Sequence, residues 1–423
     1  MLDIKYIREQ VEAVKENVKR RRAHIDIDEL LRVDGERLTQ LHTIEALRQE
    51  RNEIAEQMKS AGAADRPKLI ERGKELKEKI AKLDGAFTEI DKQWFELMLH
   101  VPNKTHVETP SGESDEENKV MKMVGEIHRP NFEPQSHEVL AEKHDLIDFV
   151  RGAKVAGAKF YFLKGKLAIL EQALIRYGID FAMREGYTFL TTPDVAKEEV
   201  LIGKGFLPRG PETQVYYIEK TDLALVGTAE IPLLGYHMNE VLPLEELPKK
   251  YVAFSHCFRT EGGAYGRESY GLYRVHQFSK VEMLAFAAPD QSEAIHLEFL
   301  RLEEAFWQSL GIPYRVVDCC AGDLGGSDYR RYDIEAWMWG KGDGKGGWGE
   351  VTSTSNCLDF QARGLNIKCT SKEGEKDFAH TLNGTVVATP RALLSILENF
   401  QQADGSIIIP EVLRPYCGFE KIG

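Results

Sequence analysis

An α+β protein carrying a helical hairpin at its N-terminus is predicted by three observations. Apolar residues recur at helical and heptad spacing through the first hundred positions. A stretch rich in proline, glycine and acidic residues follows. Beyond it, strand-like apolar runs are interspersed with a few helical ones. That order suggests an antiparallel sheet flanked by helices, joined to a separate helical unit.

The elements follow in chain order. Ile4, Ile7, Val11, Val14 and Val18 are spaced by 3 and 4 residues, one stripe of a helix. Gly35 interrupts near the start of a longer helical stretch, in which Leu38, Leu41, Ile44, Leu47, Ile54 and Met58 keep helical spacing. The run SAGAADRP (60–67) breaks it, and Pro67 suits the first turn of the next helix. That helix is the clearest signal. Leu76, Ile80, Leu83, Phe87, Ile90, Trp94 and Leu97 recur at alternating 4 and 3, with Lys and Glu dense between them. Two such helices joined by a short turn read as a long antiparallel coiled coil. Roughly thirty residues at 1.5 Å each reach about 45 Å, so the arm must project toward something. Residues 1–105 are assigned to it. Residues 106–135, with Pro110, Gly112 and the run SDEEN, read as a linker. Residues 136–423 form the body. There a helix is expected near 166–185 and an extended segment over 187–195. Strands are expected over 251–258 and 280–286, and helices over 290–309 and 391–402.

Composition narrows the function. With 42% apolar and 29% charged residues the chain can bury a large core. The net charge is −13, yet the first hundred residues hold 20 Lys and Arg against 21 Asp and Glu. The acid sits in the body, so a polyanion would meet less repulsion at the arm. No apolar run approaches the ~20 residues of a membrane span, and MLDIKYIREQ lacks the apolar core of a secretory signal. Six cysteines without a C-x-x-C pair argue against a disulfide scaffold and against structural zinc. A reduced, cytoplasmic chain is expected.

GDGKGG (342–347) matches G-x-G-x-x-G by letter but has no strand before it and no helix-forming run after it, so it reads as a loop. KRRR (19–22) and Lys74, Lys77 and Lys82 suit a phosphate-backbone reader or a plain solvated helix. The informative stretch is FSHCFRTEGGAYGRESYGLYRVHQFSKVEMLAF (254–286), which reads strand, glycine-rich loop, strand. Alternation puts Arg259 and Glu261 on one face of the first strand, and Arg274, His276, Phe278, Lys280 and Glu282 on one face of the second. Unpaired charge is costly in a core, so this is either a working face or a solvated hairpin.

These residues resemble motif 2 of the class II aminoacyl-tRNA synthetases, and the RxHQFxKVE form is similar to that of the seryl-tRNA synthetases. The rest of the chain agrees in order. Pro193 after a long helix suits the dimer motif, and GTAE (227–230) resembles the family's Thr-Ala-Glu element. EVTSTSNCLDFQAR (350–363) is similar to the segment before motif 3, and HTLNGTVVATPRALLSILENFQQADG (380–405) to motif 3 itself.

The resemblance implies a class II catalytic domain on an antiparallel sheet. It implies that ATP and L-serine give seryl-adenylate, with serine then passed to the 3′ end of tRNA(Ser), and also of tRNA(Sec) as a family expectation. Arg259, Arg274, Arg391 and Glu350 would carry the chemistry. Arg259 would contact the α-phosphate, with Thr260 beside it, Glu261 the adenine amino group, and Arg267 and Arg391 the outer phosphates. Phe278 would stack on adenine near the backbone of Val275. Glu350, Val351, Thr352 and Ser353 would line the ATP site, with Glu350 and Ser353 holding Mg²⁺. Glu282 would pair with the ammonium of serine and Arg274 with its carboxylate. Thr228, Ala229, Glu230, Asn383 and Thr385 would surround the rest. The arm would grip tRNA by shape and phosphates, within a homodimer.

Two features depart from the common pattern: Pro390 directly before Arg391, and the expanded glycine-rich 339–350 segment. Neither removes a chemical group. A non-charging RNA-binding paralogue is the rival reading. An aminoacyl ligase for carrier proteins, built on the same catalytic fold, fits less well because it lacks the arm.

Overall fold

Asp26 starts the hairpin by accepting hydrogen bonds from the amides of Asp28 and Glu29. In the computed structural model, residues 1–206, 214–262, 271–342, 344–371 and 373–423 are described. Leu2–Pro102 form one compact unit; Asn103–Gly423, together with Met1, form another.

The first unit contains α1 (Ile4–Glu9), α2 (Val11–Arg20), α3 (Ile27–Ser60) and α4 (Arg66–Leu99). The single helix expected over 4–18 is broken at Gln10, whose φ of −126° and ψ of 43° are not helical. Ile7, Val14 and Val18 are still buried, because a one-residue kink preserves the stripe. Gly35 does not mark the start of the long helix; it is carried inside α3, nine residues after the Asp26 cap. Pro67 lies in the first turn of α4, as its fixed φ favours. The seam between α3 and α4 is built on buried Leu47, Leu76 and Ile80, with Ile54 and Leu83 packed against them. Arg37 adds a pair with Asp91 and lies 4.4 Å from the Trp94 ring.

The second unit is organised by an eight-stranded sheet. Its elements in order are β1 (Lys119–Val124), α5 (His137–Lys143), α6 (Phe149–Ala156), α7 (Gly165–Arg184), β2 (Thr188–Thr191), α8 (Glu198–Lys204) and α9 (Glu230–Tyr236). There follow β3 (Lys249–Phe258), β4 (Gln277–Ala287), α10 (Ser292–Leu310), β5 (Tyr314–Asp318), β6 (Arg330–Met338), β7 (Gly347–Asn356), α11 (Phe360–Leu365), β8 (His380–Ala388) and α12 (Thr389–Asn399). The strand order is β1-β5-β6-β7-β8-β4-β3-β2. Neighbours are antiparallel except β2 and β3, which pair in parallel. α7, α10 and α12 pack on the sheet and supply Leu170, Leu174, Phe299, Phe306, Leu393 and Leu397 to one continuous core.

The segment read as a linker contributes β1 to the edge of this sheet, although every residue of that strand except Val124 is exposed. Its apolar residues, Val120, Met121, Met123 and Val124, do not alternate with polar ones, so the short edge strand lacks a period-2 pattern. The alternation argument for 254–286 also needs correcting. β3 ends at Phe258, and Glu261 has a left-handed φ of 50°, so Arg259 and Glu261 do not alternate along a strand. Arg274 and His276 likewise precede β4, which starts at Gln277. Mutual hydrogen bonds hold the two segments together instead: the Arg259 amide donates to His276 O, and His276 Nδ1 lies 2.8 Å from Arg259 O.

Candidate active site

Register brings the site together. Across β8 and β4, Thr385 stands opposite Glu282; across β7 and β8, Ser355 stands opposite Asn383; across β6 and β7, Asp333 stands opposite Ser353. Except for Asp333, these positions and the 272–275 segment line one cavity of about 370 Å³, a volume in the range of small-molecule sites.

One end of the cavity is built around two buried carboxylates. Glu282 lies on β4, two residues from Lys280, so both side chains share a face. Lys280 Nζ is 2.6 Å from Glu282 Oε2, and Thr385 Oγ1 donates to the same oxygen at 3.1 Å. Burial pushes the Glu282 carboxyl above its ordinary range, against the pull of Lys280, and the charge of Glu230 adds to the rise. Glu230, at the start of α9, accepts from Gln361 Nε2 at 2.8 Å and from Asn383 Nδ2 at 3.0 Å. Its second oxygen lies 3.1 Å from Lys204 Nζ. The Lys204 ammonium is held above its usual value by Glu230 and Asp328, which outweigh burial. Two carboxylates that feel each other in one buried corner make a subsite for a small cation.

The other end is rich in arginine. Arg259 donates to Gly227 O through Nε and Nη2, both at 3.3 Å, and lies 5.3 Å from the Phe278 ring. Arg274 Nη1 is 3.2 Å from Glu261 Oε2, while its buried Nε has no partner among the described residues. Arg391, on the first turn of α12, donates to Glu350 O at 2.9 Å and pairs with Glu350 Oε1 at 3.2 Å. Burial pulls the Glu350 carboxyl up, but Arg391, Arg331, Arg259 and Arg274 together lower it. Such planar forks suit phosphate and carboxylate oxygens.

Of the residues singled out in the sequence, Thr228, Glu230, Glu282, Asn383 and Thr385 line the cavity, as do Arg259, Glu261, Arg274, Val275, Phe278 and Arg391. Glu350, Val351, Thr352 and Ser353 line it too. Ala229 is fully buried behind it, and Thr260 is not on its wall. Arg267 lies outside the described residues. Sequence reading gave no role to Lys204 or Arg331, which also line the cavity. Nothing in its spacing pairs Lys204 with Glu230; only the fold does, whereas Arg331 and Asp333 are two residues apart on β6 and share a face. Lys280 was readable as sharing a face with Glu282, but not as its partner.

Pro390 is buried at the start of α12, where its ring needs no amide hydrogen bond, and Arg391 still reaches the cavity. Among the described residues, Cys319, Asp323 and Asp333 form a cluster with metal-ligating atoms. Arg331 already fills it, pairing with Asp323 at 2.5 Å and with Asp333 at 3.1 Å.

Comparison with known proteins gives a consistent result. Residues 1–105 match the family described as "Seryl-tRNA synthetase N-terminal domain", and residues 215–400 match "tRNA synthetase class II core domain (G, H, P, S and T)". The chain is 49% identical to the serine–tRNA ligase of Treponema denticola, with 100% of each chain covered. It is 47% identical to that of Rubrobacter xylanophilus, covering 100% of this chain and 99% of the relative. The fold is similar to the seryl-tRNA synthetase of Pyrococcus horikoshii complexed with ATP, with a TM-score of 0.86 at 37% identity over 100% of this chain and 99% of that one.

Proposed function

The chain belongs to the seryl-tRNA synthetase family, and on that premise we propose that its cavity joins L-serine to ATP before serine is passed to tRNA(Ser). The observation that carries this reading is the corner formed by Glu282 and Glu230, with Lys280, Thr385, Asn383 and Lys204 around it. Serine brings an ammonium, a carboxylate and a hydroxyl, and this corner with Arg274 has a partner for each. Glu282 meets the ammonium. The open Nε of Arg274 meets the carboxylate. Glu230 and its donors meet the hydroxyl. A site built to bond a hydroxyl rejects an alanine-like substrate by about 10⁴-fold, because its own polar groups would go unpaired.

Adenylate formation needs no general base, since the serine carboxylate is already ionised. It needs an in-line approach to the α-phosphorus and stabilisation of the charge that builds there. Arg259 serves the α-phosphate and Arg391 the outer phosphates, with Arg267 assigned to the same task. Adenine stacks on Phe278, and its amino group meets Glu261. Arg259 lies 5.3 Å from the Phe278 ring and Arg274 pairs with Glu261, so the groups assigned to phosphate, adenine and the serine carboxylate are neighbours.

Mg²⁺ fits Glu350 and Ser353, which offer a carboxylate and a hydroxyl as hard oxygen donors, the former kept ionised by four arginines. Bound there it would neutralise phosphate charge. The arm takes tRNA(Ser) and, by the family's pattern, tRNA(Sec). A homodimer is supported by exposed Val150 and Val155 on α6, Phe162 just beyond it, and Ile169 on α7. Sedimentation showing monomer alone would contradict it. A cytoplasmic setting is supported by six free, buried cysteines. The test of the serine corner is Glu282→Ala, which should abolish serine-dependent ATP–pyrophosphate exchange. Normal exchange would remove Glu282 from the site.

A further inference from the structure

His137, at the start of α5, and Glu398, two turns beyond Arg391 on α12, are both fully buried. The Leu272 amide donates to His137 Nε2 at 3.1 Å. Nε2 is therefore unprotonated, and the ring proton sits on Nδ1, which donates to Glu398 Oε1 at 2.8 Å. Glu398 also accepts from the His137 amide at 3.0 Å and, through Oε2, from the Gly340 amide at 2.8 Å. One buried pair thus holds two backbone segments, the one at Leu272 lining the cavity.

Two glycines make this approach possible. A Cβ on Gly271, whose φ is +45°, would lie 2.0 Å from His137 Nε2. A Cβ on Gly340 would lie 2.7 Å from Glu398 Oε1. Each held segment then delivers a side chain to the same place. Tyr273 follows Leu272, and Lys341 follows Gly340. The Arg391 guanidinium and the Lys341 ammonium both lie 4.8 Å from the Tyr273 ring centre.

We propose that the His137–Glu398 pair is a positioning element for ATP. It fixes Tyr273 and Lys341, and through the shared ring seats Arg391 for the outer phosphates. Neither residue touches the nucleotide, and neither lines the cavity. The inference rests on the reading of Arg391 as a phosphate ligand. It adds that a histidine more than 250 positions away sets the aim of that arginine.

The test is ATP–pyrophosphate exchange by the full-length protein, with KM measured separately for ATP and for serine. His137→Asn keeps a donor at the position of Nδ1, but the shorter side chain places no acceptor at the position of Nε2, so the Leu272 amide loses its partner. KM for ATP should rise roughly fivefold to tenfold, the worth of one buried hydrogen bond, while KM for serine changes by less than about twofold. Gly271→Ala approaches the pair from the other side, and serves if His137→Asn does not fold. It should raise KM for ATP alone, and with His137→Asn the two effects should be less than additive. Equal rises for both substrates, or no rise for ATP, would overturn the proposal. Arg391→Ala separates the two layers. If it impairs ATP use while His137→Asn and Gly271→Ala do not, only the positioning role fails; if Arg391→Ala has no effect, the phosphate reading fails and takes the positioning role with it.

Discussion

Lys280 Nζ lies 2.6 Å from Glu282 Oε2, with both side chains almost wholly out of solvent. They are two residues apart on one strand, so the pleat itself delivers the ammonium to the carboxylate. Removing one partner of such a pair is costly, because the other is left buried and uncompensated.

Lys280→Met therefore pushes the Glu282 carboxyl further up than burial already does. At neutral pH a larger fraction of the variant carries a protonated Glu282, which cannot pair with an ammonium. KM for serine should rise on the order of tenfold near pH 7 and fall back as the pH is raised. A pH-independent KM in the variant, or one below that of the parent, would show that Lys280 competes with serine and does not prepare its site.

The hairpin offers a separable function. Its seam of Leu47, Leu76 and Ile80 lies wholly within α3 and α4. Replacing residues 27–99 by a short flexible link should leave serine-dependent pyrophosphate exchange within about twofold while tRNA charging falls by orders of magnitude. Charging that survives the deletion would disprove the arm's role.

A third consequence concerns acid stability. His296, fully buried on α10, bonds Thr354 O at 3.1 Å through Nε2, and its Nδ1 has no partner among the described residues. Burial pushes its pKa down from 6.5 to about 4. The unfolded chain takes up a proton below about 6.5 that the folded chain refuses until about 4. The stability contribution is thus complete above 6.5 and is lost as the pH falls to about 4, a loss of about 3 kcal/mol. His296→Gln keeps a donor but does not titrate. Its urea-unfolding midpoint should fall less steeply over that range; parallel profiles would refute the assignment.

Much of this was legible in the sequence because heptad spacing and strand alternation are local. The α3–α4 hairpin and the face that carries Glu282 could be placed from neighbouring residues, and Arg391 from the resemblance to motif 3. What escaped was non-local or weakly patterned. β1 is an exposed edge strand and looks like a linker. The kink at Gln10 leaves the apolar stripe unbroken. Glu261 is read onto a strand face by alternation but sits at φ 50° just past the strand end. Lys204 finds Glu230, and His137 finds Leu272, only once the chain has folded.

The most direct measurement is ATP–pyrophosphate exchange without tRNA, comparing the parent and Glu282→Ala against serine, threonine and alanine. Exchange by the parent with serine alone, and none by the variant, is the predicted result. Exchange with alanine comparable to serine, or undiminished exchange by Glu282→Ala, would contradict the assignment of this corner to serine.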